Sequence, residues 1–171
     1  MTKKDRVMLQ MIEFDKGDPK RIQHFLKVYE CARLIAAGEG MEGEALEILE
    51  VAAILHDIGI HPSEEKYGDC NGKHQEEEGP AYARALLEQM DGYSKEFIDR
   101  VCFLIGHHHT YSSVDGADYQ ILIEADFLVN AYEDELYLSY RDTMKKMKER
   151  IFKTKTGIWM LETMFEKETA D

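Results

Sequence analysis

Two nearly uninterrupted apolar runs, each with a carboxylate lodged inside it, constrain this chain more than any other feature. Asp57 sits in Val51-Ala52-Ala53-Ile54-Leu55-His56-Asp57-Ile58-Gly59-Ile60, and Asp126 in Ile121-Leu122-Ile123-Glu124-Ala125-Asp126-Phe127-Leu128-Val129. Segments this apolar fold into the interior, where an ionised carboxylate is prohibitively costly without a counter-charge. His56 directly precedes Asp57, and a His-rich segment lies upstream of Asp126. Imidazole and carboxylate are the donors of divalent metal sites, so the expected counter-charge is a metal cation.

A chain of 171 residues that is 44% apolar has room for one compact domain, spanning 1–171, with a substantial core. Its 21 Lys and Arg against 34 Asp and Glu give a formal charge of -13, which repels polyanions and argues against nucleic acid as a partner. A small phosphate-bearing molecule stays compatible, because a bound cation dominates the field inside a cleft. Cys31, Cys70 and Cys102 are odd in number and form no Cys-x-x-Cys pair, which excludes a disulfide framework and a thiolate knuckle. No run approaches the roughly 18 apolar residues of a membrane span, and the first residues resemble no signal segment. The expectation is a cytoplasmic protein with no membrane partner, and association into a homo-oligomer stays open.

The periodicity is helical almost throughout, and alternating strand patterns are nearly absent. Asp18-Pro19 reads as a cap and first helical residue, opening a helix through Ile22, Phe25, Val28, Ala32 and Ile35 that closes at Gly38 and Gly40. A second runs from near Glu44 to Ile58-Gly59 and carries His56 and Asp57 in its last turn. Residues 61–79 lose the apolar pattern and read as a long loop. Helices resume at Pro80 and after a Ser94 cap, the latter delivering His107, His108 and His109 at its end. The apolar run around Asp126 ends at Asn130. Tyr132 to Phe152 reads as one long helix, and Ile158 to Phe165 as a short terminal one. The whole is an all-α bundle of about six to eight helices. His24 shares a helix face with Val28, Cys31 and Ile35, so its ring is expected to face the interior.

The ordered set His24, His56-Asp57-Ile58-Gly59 and Asp126 resembles the HD-domain superfamily of metal-dependent phosphohydrolases. The likeness extends to Arg21-Ile22-Gln23-His24, Ala52-Ala53-Ile54-Leu55-His56-Asp57 and Glu124-Ala125-Asp126-Phe127-Leu128. It covers a core region of residues 20–130, followed by a C-terminal helical extension, 131–171. The resemblance implies a metal held by His24, His56, Asp57 and Asp126, with Asp57 also assigned to catalysis. Some branches add a second metal, for which His108 and His109 are the candidates, with His107 as substitute. The remaining second-metal histidine of those branches stands four residues before a glycine. Here Gln75 has that offset from Gly79, and His74 is one position early.

The cofactor expected is one or two ions of Fe, Mn, Co, Ni or Zn, since two His and two Asp leave room for water and substrate only beyond tetrahedral geometry. The activity implied is hydrolysis of a small phosphorylated molecule of the nucleotide or dinucleotide kind by attack of metal-activated water on phosphorus. Lys66, Lys73 and Arg84 are the candidate substrate contacts, with Arg21 and Arg33 nearer His24. Glu124, two residues before Asp126, reads as structural or as a support to the site. Two alternatives belong to other classes: a di-iron oxygenase of the same superfamily, and a metal-stabilised binding module without turnover.

Overall fold

The structure, a computed structural model, describes residues 1–139 and 141–165. These form ten helices and no strand: α1 (Lys3–Phe14), α2 (Pro19–Gly38), α3 (Gly43–Leu55), α4 (Ile60–Tyr67), α5 (Gly72–Glu88), α6 (Lys95–Ile105), α7 (Ala117–Glu133), α8 (Leu136–Ser139), α9 (Arg141–Ile151) and α10 (Lys155–Phe165). The two apolar runs form the centre. In α7 Ile121, Leu122, Ala125, Leu128 and Ala131 are fully buried, and in α3 so are Leu49, Ala52, Ala53, Ile54 and Leu55. A helix apolar all round must be covered on all sides. Accordingly α2 packs on both α3 and α7, α6 lies on α3 and α5, and α1 and α10 close the flanks. One apolar cluster runs from Val7 to Leu161.

Local chemistry starts the helices where the sequence indicates. Asp18 accepts from the Arg21 amide at 3.1 Å ahead of Pro19, and Ser94 accepts from the Phe97 amide at 3.1 Å. Three expectations are corrected. Residues 61–79 are not a loop but most of α4 and the opening of α5, joined by a short turn at left-handed Gly68 (φ 77°) and capped by Asn71. Their Glu and Lys residues favour a helix, yet the faces they bury carry Pro62, Ser63, Gln75 and Gly79, so no apolar stripe marks them. Asn130 does not end its helix, which continues to Glu133. The single helix expected over Tyr132–Phe152 is broken instead: three successive acids crowd the carbonyl end of α7, and the chain turns through Glu135 (φ 54°) into α8. With α1, whose buried residues are Val7 and Met11, these breaks raise the helix number above six to eight.

Candidate metal centre

α2, the end of α3 and α7 bring the four residues of the resemblance to one point. His24 Nε2 lies 3.2 Å from His56 Nε2, 3.2 Å from Asp126 Oδ1 and 3.3 Å from Asp57 Oδ2. His56 Nε2 lies 3.4 Å from Asp57 Oδ2 and 3.5 Å from Asp126 Oδ1. Each ring is aimed through its other nitrogen. His24 Nδ1 donates to Glu133 Oε2 at 2.9 Å, and His56 Nδ1 donates to the Ala53 carbonyl at 2.8 Å. Both bonds leave Nε2 as the nitrogen offered to the centre, the arrangement that outer carboxylates and carbonyls impose on metal-binding histidines. Glu133 is steadied by Lys27 at 2.6 Å, and Asn130 donates to Asp126 Oδ1 at 2.9 Å.

A second group adjoins the first across Asp57. His108 Nε2 stands 3.5 Å from Asp57 Oδ1, while its Nδ1 donates to the Ile105 carbonyl at 2.8 Å. Among the described residues, His108 Nε2 is the buried side-chain polar atom with no hydrogen-bond partner; the ionic contact to Asp57 does not supply one. His109 completes the group, with Asp57, His108 and His109 offering donor atoms within 4.8 Å of one another, as His24, His56 and Asp57 do. Buried imidazoles and carboxylates that meet chiefly each other fit a divalent cation between them, and the unpartnered nitrogen fits one at the second group.

The electrostatics follow from this crowding. Burial opposes charge on His24 and His56, but the hydrogen bond to Asp126 and the field of Asp57 outweigh it and raise both pKa values. Burial likewise disfavours the ionised carboxylates, but His56, helped by His108 at Asp57 and by His24 at Asp126, holds both well below the usual carboxylate range. His109 differs: burial and the neighbouring His108 lower it to about 4, so it is neutral.

The other expected residues lie elsewhere. His74 turns outward, stacked on Tyr67 at 3.9 Å and bonded to Asp69 at 2.8 Å. His107 stacks on Phe103 and bonds its carbonyl at 2.7 Å, outside both donor groups. Lys66 pairs with Glu78, Lys73 with Glu77, and Arg84 with Asp99 and Glu88; none lines the cleft above the centre. Arg33 pairs with Glu30 on the surface. Glu124 is fully buried and accepts from Gln120, from the Lys153 and Thr154 amides and from the Thr154 hydroxyl, fastening the start of α10 to α7.

The cleft, of about 250 Å³, is lined by the cations Lys20 and Arg21, the acids Asp18, Glu133 and Asp134, the polar Gln75 and Asn130, and His24, Asp57, His109 and Asp126 of the centre. Glu133, Asn130 and Gln75 are the supporting residues the sequence reading did not single out as functional. Asn130 and Glu133 follow Asp126 at i+4 and i+7, one helix face, and that spacing was the available signal.

A helical bundle that gathers His, His-Asp and Asp from three helices to one cleft defines a metal-centred all-α scaffold. The sequence model of the HD domain matches residues 21–147. A crystal structure of a predicted HD superfamily hydrolase from an uncultured Thermotogales bacterium superposes with a TM-score of 0.67 at 30% identity, covering 93% of this chain and 83% of the other. Among curated proteins no match is found. The chain belongs to the HD-domain family of metal-dependent hydrolases. No helix among the described residues is long and apolar enough to cross a membrane.

Proposed function

We propose that the chain hydrolyses phosphate esters of small molecules, with a divalent metal held by His24, His56, Asp57 and Asp126. The observation that carries this reading is the meeting of those donors at 3.2–3.5 Å beneath a cleft walled by Arg21 and Lys20. A divalent ion there supplies Lewis-acid polarisation of phosphoryl oxygens and brings the pKa of water to about 7. Asp57 faces both donor groups, Oδ2 toward His24 and His56 and Oδ1 toward His108, so it is the carboxylate on which the reacting geometry depends most.

Arg21 takes the role first sought in Lys66, Lys73 and Arg84. Its Nη1 donates to Asp18 at 2.9 Å and His61 at 3.2 Å, and its Nη2 to Glu64 at 2.7 Å. A guanidinium carries five N–H donors, so these three contacts leave two uncommitted on a residue that lines the cleft. Asp18, Glu133 and Asp134 also line the cleft, so a small phosphate there depends on a bound divalent cation, with Lys20 and Arg21, to offset the acids. The continuous core supports reading residues 1–171 as one domain.

The test is metal-stripped protein reloaded with Mn, Co, Ni, Zn or Fe and assayed anaerobically for phosphate release from nucleotides, dinucleotides and sugar phosphates. Metal-dependent release, with KM raised by Arg21→Ala, is the expected result. Oxygen consumption by the reduced iron form without phosphate release would replace this reading with the oxygenase. Metal-raised melting with neither reaction would leave a binding module.

A further inference from the structure

One buried carboxylate takes no part in the metal centre. Asp15, which caps the end of α1, is 2% exposed, and it faces His61 of α4, whose Nε2 lies 3.4 Å from Asp15 Oδ1. On the other side of the ring, His61 Nδ1 lies 3.2 Å from Arg21 Nη1. A guanidinium only donates, so Nδ1 is the accepting nitrogen and the ring carries its hydrogen on Nε2, directed at Asp15. Asp15, His61 and Arg21 thus form one line across α1, α4 and α2, and that line ends at a residue of the cleft.

Arg21 has two further partners, Asp18 Oδ2 at 2.9 Å on Nη1 and Glu64 Oε1 at 2.7 Å on Nη2. Both are carboxylates, and their charge offsets part of what an anion would seek. His61 differs, because it holds the guanidinium through an uncharged nitrogen. With both Nη1 hydrogens engaged, the Nε–H and one Nη2–H stay uncommitted. A ring carrying hydrogen on Nδ1 could not accept from Arg21, so its form has to be fixed. The buried carboxylate of Asp15 supplies the means, as carboxylates do for histidines elsewhere. Glu64 Oε2, 3.7 Å from Nδ1, and the Phe14 ring, 6.3 Å away between centroids, also border the imidazole.

Resting on the reading of Arg21 as a phosphate contact, we infer that Asp15 and His61 are positioning residues for that contact. Asp15 keeps His61 Nδ1 bare, and Nδ1 holds the Arg21 guanidinium in the wall of the cleft with donors left for a phosphoryl oxygen. The polar helix α4 thereby has a task in binding. Neither residue belongs to the donor groups of the centre, so the effect falls on substrate affinity rather than on the chemical step.

The test sets two substitutions against each other in the manganese-loaded full chain, with p-nitrophenyl phosphate for kinetics and inorganic phosphate for calorimetric binding. His61→Asn puts an amide oxygen where Nδ1 stood, with no ring hydrogen to be fixed, and loses the reach to Asp15. His61→Gln puts its amide where Nε2 stood, keeping the contact to Asp15 and losing the acceptor for Arg21. Melting curves confirm that both fold. His61→Asn should keep KM and phosphate affinity within about threefold, whereas His61→Gln should raise KM and weaken phosphate binding about tenfold at unchanged kcat. On an Arg21→Ala background His61→Gln should add nothing. Asp15→Leu should raise KM about threefold to tenfold with His61 present and leave it unchanged on the His61→Asn background. Equal effects of the two His61 variants, the reverse order, or an effect of His61→Gln or Asp15→Leu that persists on its background would overturn the inference while leaving the reaction standing. Wild-type protein that neither binds nor releases phosphate with any metal would remove the reaction, and the inference with it.

Discussion

The cleft has two walls, and they are held in place by different physics. On one side His24, His56 and Asp126 project from α2, α3 and α7, where side-chain packing leaves Phe25, Leu55, Ala125 and their neighbours almost wholly buried. On the other, α4 and the opening of α5 are polar helices seated through glycine contacts and surface ion pairs such as Lys66–Glu78. The first wall is fixed by a close-packed core that resists displacement. The second is fixed by how near one backbone can come to another. Rigid retention of an ion is therefore expected from the first wall, and adjustability from the second.

The largest effect belongs to the packed wall. His56→Ala or Asp126→Ala should lower metal retention at least on the order of a hundredfold, since each removes a donor that the buried cluster cannot replace. Elemental analysis after desalting measures this. Full retention in both variants would break the contrast at its stronger side. Glu133→Gln should come next, at roughly tenfold to a hundredfold weaker binding, because His24 loses the carboxylate that orients it at 2.9 Å. The melting temperature of the metal-free protein should hardly change. Unaltered affinity would show that ring packing alone aims His24.

The adjustable wall is tested by Gly59→Ala. The added carbon meets backbone atoms at 2.5 and 2.8 Å rather than a movable side-chain tip. Overpacking of this kind costs about 1–3 kcal/mol, read from urea unfolding. Wild-type stability would mean that α5 is not seated on this contact.

The same division explains what could be read from the sequence. Asp57 and Asp126 stand out because a carboxylate is anomalous in an apolar run, and His24 because it rides an apolar helix face. The all-α class follows from the periodicity of α2, α3, α6 and α7. Polar elements lack that contrast. Within residues 61–79 the buried positions of α4 and α5 are Pro62, Ser63, Gln75 and Gly79, so no apolar stripe distinguishes these helices from a loop. Lys66, Lys73 and Arg84 were attractive as cations near that segment, but their partners are neighbouring acids one or more helical turns away, a relation that composition does not reveal. Arg21 was visible, and only the fold shows that it lines the cleft.

The smallest effect lies where the walls meet. Asp15, 2% exposed between α1 and α2, faces His61 Nε2 on α4 at 3.4 Å. Burial raises its pKa to about 6, against the opposing fields of His61 and Arg21. In the unfolded chain an aspartate titrates near 3.9. The folded state therefore binds the proton more tightly. The stability this group contributes is complete below about pH 4 and is lost as pH rises through about 6. Asparagine cannot ionise, so Asp15→Asn should match the wild type at pH 4 and exceed it above pH 6 by about 1–2 kcal/mol, less than the full shift implies because water reaches the His61 side of the pair. Urea unfolding at pH 4 and pH 8 decides the matter. A variant less stable than wild type at pH 8 would mean that the contact to His61 outweighs the cost of burial, and that the adjustable wall is tied down by charge as well as by glycine.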